Sequence, residues 1–262
     1  MMEVRNEQVV ILCGGRGTRL QEETEFKPKA LVEIGGKPIL WHLMRIYYRH
    51  GFRRFVLCLG YKGNLIKQYF LNYSAMQNDF TLQLRSGSQQ LESDSENIED
   101  WQITFADTGA DTNTGGRLSR IRHLIKEPCF LANYCDGLSD LDLGKLVDLH
   151  HEKGKIATVT GFHPRSRFGT VKVDGEGIVN YWQEKPMMSD LTSGGFFVFD
   201  QKVFDYLDDD CVLEQGPLEK LAGDRQLALF EHDGYWQCMD THKEALALNQ
   251  VWDTGNAPWK TW

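Results

Sequence analysis

The sequence predicts an α/β protein: a mostly parallel, mixed sheet flanked by helices, with a strand-rich C-terminal part. Three observations carry that prediction. An apolar, β-branched run at residues 9–12 (VVIL) stops at glycines, as a buried strand does before a tight turn. Strand-like runs then alternate with helix-periodic segments as far as residue 134, the pattern of a parallel sheet wrapped by helices. Beyond Lys155 the texture changes to short strands broken by turns such as Asp174-Gly175. A chain of 262 residues is long enough for one large domain or two small ones. We read it as a single domain over 1–262.

After the glycines, residues 38–50 (PILWHLMRIYYRH) have helical periodicity, with Pro38 in the first turn and Gly51 as C-cap. A strand is expected at 54–60 (RFVLCLG) and a helix at 64–73. Strands at 80–84 and 103–107, a helix from Leu118 and a strand at 129–134 continue the alternation. Between them, 86–100 carries Glu92, Asp94, Glu96, Glu99 and Asp100 with no basic residue, the composition of a solvated hairpin or loop. Strands at 156–162, 170–173, 178–184 and 194–199 are expected to extend the same sheet. A helix near 213–222 and a strand at 227–231 follow. The last helix, to Trp252, starts from a capping box, Thr241 with Glu244 three residues on.

Composition narrows the function. Hydrophobic residues at 41% and charged residues at 25% are ordinary for a soluble globular protein and exclude disorder and coiled coil. No apolar run approaches the roughly 18 residues of a membrane span, and the first residues (MMEVRNE) lack a signal-peptide core, so a cytoplasmic location is expected. Lys and Arg number 29 against 37 Asp and Glu, a formal charge of −8, which opposes nucleic acid or anionic lipid as partner. Any anionic ligand must therefore meet a local basic cluster. The six cysteines form no CxxC pair; we read them as reduced core thiols, neither a zinc site nor a disulfide framework.

That local cluster lies directly after the first strand, in Gly14-Gly15-Arg16-Gly17-Thr18-Arg19, with Lys29 beyond it. Glycines bring bare backbone N–H groups to an anion, and guanidinium groups match phosphate oxygens. A P-loop is excluded because no Gly-Lys-Ser/Thr occurs, and a dinucleotide fingerprint needs glycine where Leu20 stands. A phosphate cradle remains, beside the alternative of a tight turn with solvated arginines. In open α/β sheets, ligands bind beyond the carboxyl ends of the strands, so three further places matter. Asp136, before Gly137, offers a carboxylate for Mg²⁺ or a plain Asp-Gly turn. Lys185, between Glu184 and Pro186, offers a point charge to phosphate or is solvated. Asp240 precedes the last helix, where it supplies a second metal carboxylate or complements the helix dipole. Together these are the parts of a phosphoryl or nucleotidyl transfer site.

The run GGRGTRL, followed by Lys27-Pro28-Lys29 and ALVEIGGKP at 30–38, resembles the signature of the sugar-1-phosphate nucleotidylyltransferases, and most of all their cytidylyl branch. Supporting stretches are KPILWH at 37–42, GYKG at 60–63, Asp107-Thr108-Gly109, Thr114-Gly115-Gly116-Arg117-Leu118, Arg167-Phe168-Gly169, Glu184-Lys185-Pro186, GGFFV at 194–198, Met239-Asp240-Thr241 and APWKTW at 257–262. The resemblance spans nearly the whole chain. It implies a Rossmann-like sheet of the nucleotide-diphospho-sugar transferase type, with 1–150 mainly nucleotide-binding and 151–262 mainly sugar-binding. It also implies Mg²⁺-dependent transfer from CTP to α-D-glucose 1-phosphate, giving CDP-glucose and pyrophosphate. Alternatives are another sugar 1-phosphate, UTP or dTTP as donor, or a non-catalytic regulatory homologue. A homo-oligomer, a hexamer, is implied as well.

Carried over residue by residue, the resemblance implies that Leu12, Cys13, Gly14, Gly15, Arg16, Gly17, Thr18 and Arg19 wrap the nucleotide, with Arg19 on its β and γ phosphates. Lys29 would meet the reacting phosphates, and Thr112 and Arg117 would stand near base and ribose. Asp136 and Asp240 would hold the metal. Lys185 would hold the sugar phosphate, and Glu184, Ser193, Gly194 and Gly195 would face the sugar. Arg19, Lys29 and Lys185 are thus the implied catalytic cations. Three positions depart from the family pattern: Cys135 stands for glycine, Ser193 for asparagine and Gly216 for an acidic residue.

Overall fold

The computed structural model describes residues 4–91, 99–166 and 168–262. Among these, seven strands form the main sheet: β1 Arg5–Leu12, β2 Phe52–Leu59, β3 Gln102–Asp107, β4 Cys129–Tyr134, β5 Ala157–Phe162, β6 Thr192–Asp200 and β7 Leu227–Glu231. Their spatial order is β3-β2-β1-β4-β6-β5-β7. β1 pairs in parallel with β2 and β4, β2 with β3, and β5 with β7. Of the seven, only β6 is reversed, antiparallel to β4 and β5. The sheet is therefore mixed and mostly parallel, as the alternation of elements predicts.

Each face of the sheet has its own core. Val9, Ile11 and Cys13 join one and Val10 and Leu12 the other, the period-2 alternation of a strand covered on both sides. The first core is closed by helices Ile39–Arg49, Leu143–Lys153 and His242–Asp253, and the second by Thr114–Arg120 and Pro217–Gly223. Val9, Val10 and Ile11 are completely buried, each stabilising the fold by roughly 1.5–3 kcal/mol. The C-terminal segment is anchored in the first core by Trp259, also fully buried. Its indole Nε1 donates to Nδ1 of His42 at 3.4 Å, and Nε2 of His42 lies 2.8 Å from the Ile34 carbonyl. An indole nitrogen only donates, so Nδ1 accepts and the proton sits on Nε2. Burial pushes the His42 pKa down to about 4, keeping the ring neutral.

Several elements differ from the sequence expectation. The strand at 80–84 is Phe80–Gln83, and it pairs with Ser88–Leu91 in a separate hairpin outside the main sheet. Glu92, Asp94 and Glu96 lie outside the described residues. The strands at 170–173 and 178–184 also leave the main sheet: Thr170–Val173 and Val179–Gln183 pair only with each other. Both are exposed along their whole length, so no core recruits them. The helix expected from Leu118 begins at Thr114 and takes in Gly115 and Gly116, residues of low helix propensity. Packing overrides propensity, because a Cβ at either glycine would strike the chain near Cys211 or Asp209. The helix expected at 64–73 divides into Gly63–Leu71 and Tyr73–Gln77, and the one expected at 213–222 starts at Pro217.

Candidate active site

The glycine segment leaves the sheet at the carboxyl end of β1, where the chain turns to one side toward β2 and β4 lies on the other, the crevice position of an open α/β sheet. Cys13 still donates its N–H to the Cys58 carbonyl at 3.0 Å, and the Gly14 carbonyl accepts from Tyr61 N–H at 3.1 Å. Gly14 also accepts from Nη2 of Arg117 at 3.1 Å. The guanidinium occupies the space a Cβ on Gly14 would need. Nη1 of the same arginine donates to Thr108 Oγ1 at 2.9 Å and the Gly109 carbonyl at 2.7 Å. Arg117 is thus a buried strut between the glycine segment and the loop after β3. Burial pulls its pKa below the ordinary arginine value. Leu20, buried, and Thr24, whose hydroxyl donates to the Gly17 and Leu20 carbonyls at 3.0 Å, pin the far end of the segment.

Opposite this wall stand two carboxylates. Asp136 follows β4, and its carbonyl accepts from Met239 N–H at 3.0 Å. The short strand Trp236–Cys238 pairs with Gly137–Ser139, carrying Asp240 to the same edge. The capping box expected at Thr241 is present: Glu244 accepts from the N–H groups of Asp240 and Thr241 at 2.8 and 2.9 Å. Nζ of Lys29 lies between the pair, 2.5 Å from Asp136 Oδ2 and 2.6 Å from Asp240 Oδ1. Burial is the largest single influence on this ammonium and favours losing the proton. The charge of Asp136, the neighbouring Cys135 and the two hydrogen bonds outweigh it and raise the pKa above the ordinary lysine value. Two carboxylates around one cation leave a net charge of −1. Hard oxygen donors that converge on one point suit a divalent cation completed by ligand phosphates.

The cleft between these walls has a volume of about 480 Å³. Of the residues singled out in the sequence, Leu12, Gly14, Gly15, Gly17, Lys29, Thr112, Arg117, Asp136, Ser193, Gly194, Gly195 and Asp240 line it. Others do not. Cys13 is buried behind it. Arg16 turns away to Asp111, 2.6 Å from its carboxylate, and shares a neighbouring groove with Thr18 and Tyr61. Arg19 stands at the rim, 3.5 Å from Asp240 Oδ2. Glu184 and Lys185 lie at the exposed end of the hairpin formed by Thr170–Val173 and Val179–Gln183, outside the lining, with Lys185 in the left-handed region at φ 46°. Arg167 is outside the described residues.

Five further residues line the cleft that the sequence does not single out: Asn113, Asn133, Tyr134, Trp236 and Cys238. Asn133 and Tyr134 end β4; Tyr134 donates its hydroxyl to Glu214, and the Asn133 Oδ1 is buried without a partner among the described residues. Trp236 stacks on Phe162 with ring centroids 4.0 Å apart and donates to the Gly194 carbonyl at 2.8 Å. Cys238 follows it. Asn133 and Tyr134 lie within three residues of Asp136, and Trp236 and Cys238 within four of Asp240, so position at the strand ends is the available signal. A larger groove, about 710 Å³, opens at the opposite end of β5 and β7 and is lined by His150, Lys155 and Asp224 among others. Glycine segment, paired carboxylates and lysine meet in the smaller one, which is why we assign the chemistry there.

Residues 8–256 match the nucleotidyl transferase family, and the chain belongs to it. It is 45% identical over 258 residues to the glucose-1-phosphate cytidylyltransferase of Salmonella typhi, an alignment covering 97% of this chain and 99% of that protein. It is 30% identical to a UTP–glucose-1-phosphate uridylyltransferase of Synechocystis, covering 76% of this chain and 50% of that protein. Among solved structures, HddC from Yersinia pseudotuberculosis superposes with a TM-score of 0.69 at 23% identity, covering 94% of this chain and 99% of that one. That likeness concerns the fold.

Proposed function

We propose that this chain transfers a cytidylyl group from CTP to α-D-glucose 1-phosphate, forming CDP-glucose and pyrophosphate. The observation that carries the reading is the near full-length similarity to the Salmonella typhi glucose-1-phosphate cytidylyltransferase. The cleft supports it. A phosphate oxygen of the sugar phosphate attacks the α-phosphorus in line, the bond to the bridging oxygen breaks, and pyrophosphate leaves. The attacking oxygen is already anionic, so the reaction needs no general base. Its obstacle is the approach of two polyanions.

In this reading residues 1–150 mainly bind the nucleotide. The segment from Gly14 to Arg19 holds the triphosphate, Arg19 meets the β and γ phosphates, and Thr112 and Arg117 shape the wall near base and ribose. Asp136 and Asp240 would hold Mg²⁺, which would supply neutralisation of the charge developing on the phosphates. Lys29, set between the same carboxylates, would meet the reacting phosphates. Residues 151–262 mainly receive the sugar, with Ser193, Gly194 and Gly195 at its hydroxyls. Lys185 would hold the sugar phosphate and Glu184 the sugar, both from the end of the hairpin outside the cleft lining. A homo-oligomer and a cytoplasmic location complete the reading. Among the described residues no helix is long and apolar enough to cross a membrane.

Pyrophosphate release, measured with CTP, UTP and dTTP against a panel of hexose 1-phosphates at graded Mg²⁺, tests the proposal. CTP with glucose 1-phosphate should be the fastest pair. A faster rate with UTP or dTTP, or CTP binding with no release on any sugar phosphate, overturns it.

A further inference from the structure

We propose that Cys13 and Cys135 form a dithiol modification site at the base of the cleft, closed to a disulfide by a low-molecular-weight disulfide such as oxidised glutathione, and that closure weakens nucleotide binding. All six cysteines are free in the structure. β1 and β4 are parallel neighbours that end at Leu12 and Tyr134, which stand opposite each other, so Cys13 and Cys135 are the residues that leave the two strand ends side by side. Neighbouring strands lie about 4.8 Å apart, within the roughly 4.4–6.8 Å between Cα atoms that a disulfide spans. Both side chains project to one face, because Cys13 and Cys135 share a core while Leu12 belongs to the other. Cys58, opposite Leu12 on β2, projects to the far face and is no partner.

Access and order follow from burial. Cys135 lines the cleft, and Cys13 is 2% exposed behind it. The Cys135 sulfur attacks the incoming disulfide, its S–S bond breaks, and one small thiol departs with the proton Cys135 gives up. The Cys13 sulfur then attacks Cys135 in the mixed disulfide, and the second small thiol leaves with the Cys13 proton. Two protein thiols are oxidised and one small disulfide is reduced to two thiols. The consequence lies in what the pair joins. Cys13 opens the glycine segment, and Cys135 precedes the aspartate that holds Lys29. A covalent bond between the two strand ends ties the facing walls of the cleft together.

The intact chain, equilibrated across ratios of oxidised to reduced glutathione, is mapped by non-reducing peptide mass spectrometry, and Mg·CTP binding is measured by calorimetry on the same samples. The expected result is a linked peptide pair containing Cys13 and Cys135, two hydrogens lighter than the thiols, with CTP affinity lowered tenfold or more and regained in dithiothreitol. Cys58→Ser should keep this response. Cys135→Ser should lose it, comparing that variant with itself before and after oxidation. Failure to link at poises that oxidise Cys238, a link from Cys135 to Cys238 instead, or a link with unchanged affinity overturns the proposal. The effect on CTP rests on the cytidylyl reading, whereas the mass map reads the linkage whatever nucleotide the cleft takes. A reduced chain indifferent to CTP therefore counts against that reading, and the linkage is judged by the map.

Discussion

Nζ of Lys29 lies 2.5 Å from the carboxylate of Asp136, in the space where a metal held by Asp136 and Asp240 would sit. On the proposed reading lysine and divalent cation compete for one position, and that competition is measurable. In Lys29→Ala the two carboxylates lose their shared cation, so Mg²⁺ should raise the melting temperature of the variant more than that of the parent. Turnover should fall by about 10²-fold or more, since an electrostatic clamp at the reacting phosphates is removed. Melting curves across Mg²⁺ concentration with pyrophosphate-release rates check both. Equal Mg²⁺ responses in the two proteins would remove the shared position.

Arg117 joins the glycine segment to the loop after β3 through four main-chain carbonyls, at Gly14, Leu59, Gly109 and Ala110, and through the Thr108 hydroxyl. Deleting it strands buried acceptors, so Arg117→Ala should cost about 3 kcal/mol by urea unfolding and weaken CTP binding. Arg117→Lys should not restore either, because a single ammonium cannot span both loops.

His42 sets an acid limit on stability. Its ring stays neutral in the fold down to a pKa of about 4, against 6.5 ordinarily. Above pH 6.5 both folded and unfolded states are neutral and it contributes nothing. Between 6.5 and 4 the unfolded state takes up a proton that the fold refuses, so stability falls as pH falls, by about 3 kcal/mol in all. His150, held by burial at about 4, acts in the same window. His42→Gln should flatten the pH dependence of unfolding between pH 7 and 4 relative to the parent protein, as read from urea midpoints.

Lys185 is exposed, at the end of a hairpin outside both cores. Lys185→Ala should therefore leave the melting temperature and the CTP dissociation constant unchanged, and raise KM for the sugar phosphate or depress kcat at least tenfold. Wild-type turnover in purified Lys185→Ala would remove this residue from the sugar-phosphate site.

Much of this architecture was legible in the chain. The β1, β4 and β7 segments read correctly because short apolar runs bounded by turn residues have one plausible fate in an α/β alternation. The Thr241 capping box was equally clear, since it is a local hydrogen-bond pattern. Pairing was less legible. Thr170–Val173 carries the same alternation as a core strand, and whether such a strand joins the main sheet depends on contacts far away in sequence. The site divides in the same manner. Lys29, Asp136 and Asp240 are separated by more than a hundred residues each, yet all sit at strand ends or beside a helix cap, where the fold rule gathers them. The outward turn of Arg16 toward Asp111 depends on a side-chain partner 95 residues away, and no local pattern announces it.

The exposed hairpin at residues 170–183 has a consequence for how this protein can change. Among the described residues it pairs only with itself, and its strands are exposed along their length, so substitutions there disturb neither core. The glycine segment has no such latitude, being tied to Arg117, Tyr61 and Thr24 at once. The hairpin can therefore accept sequence change that the glycine segment cannot.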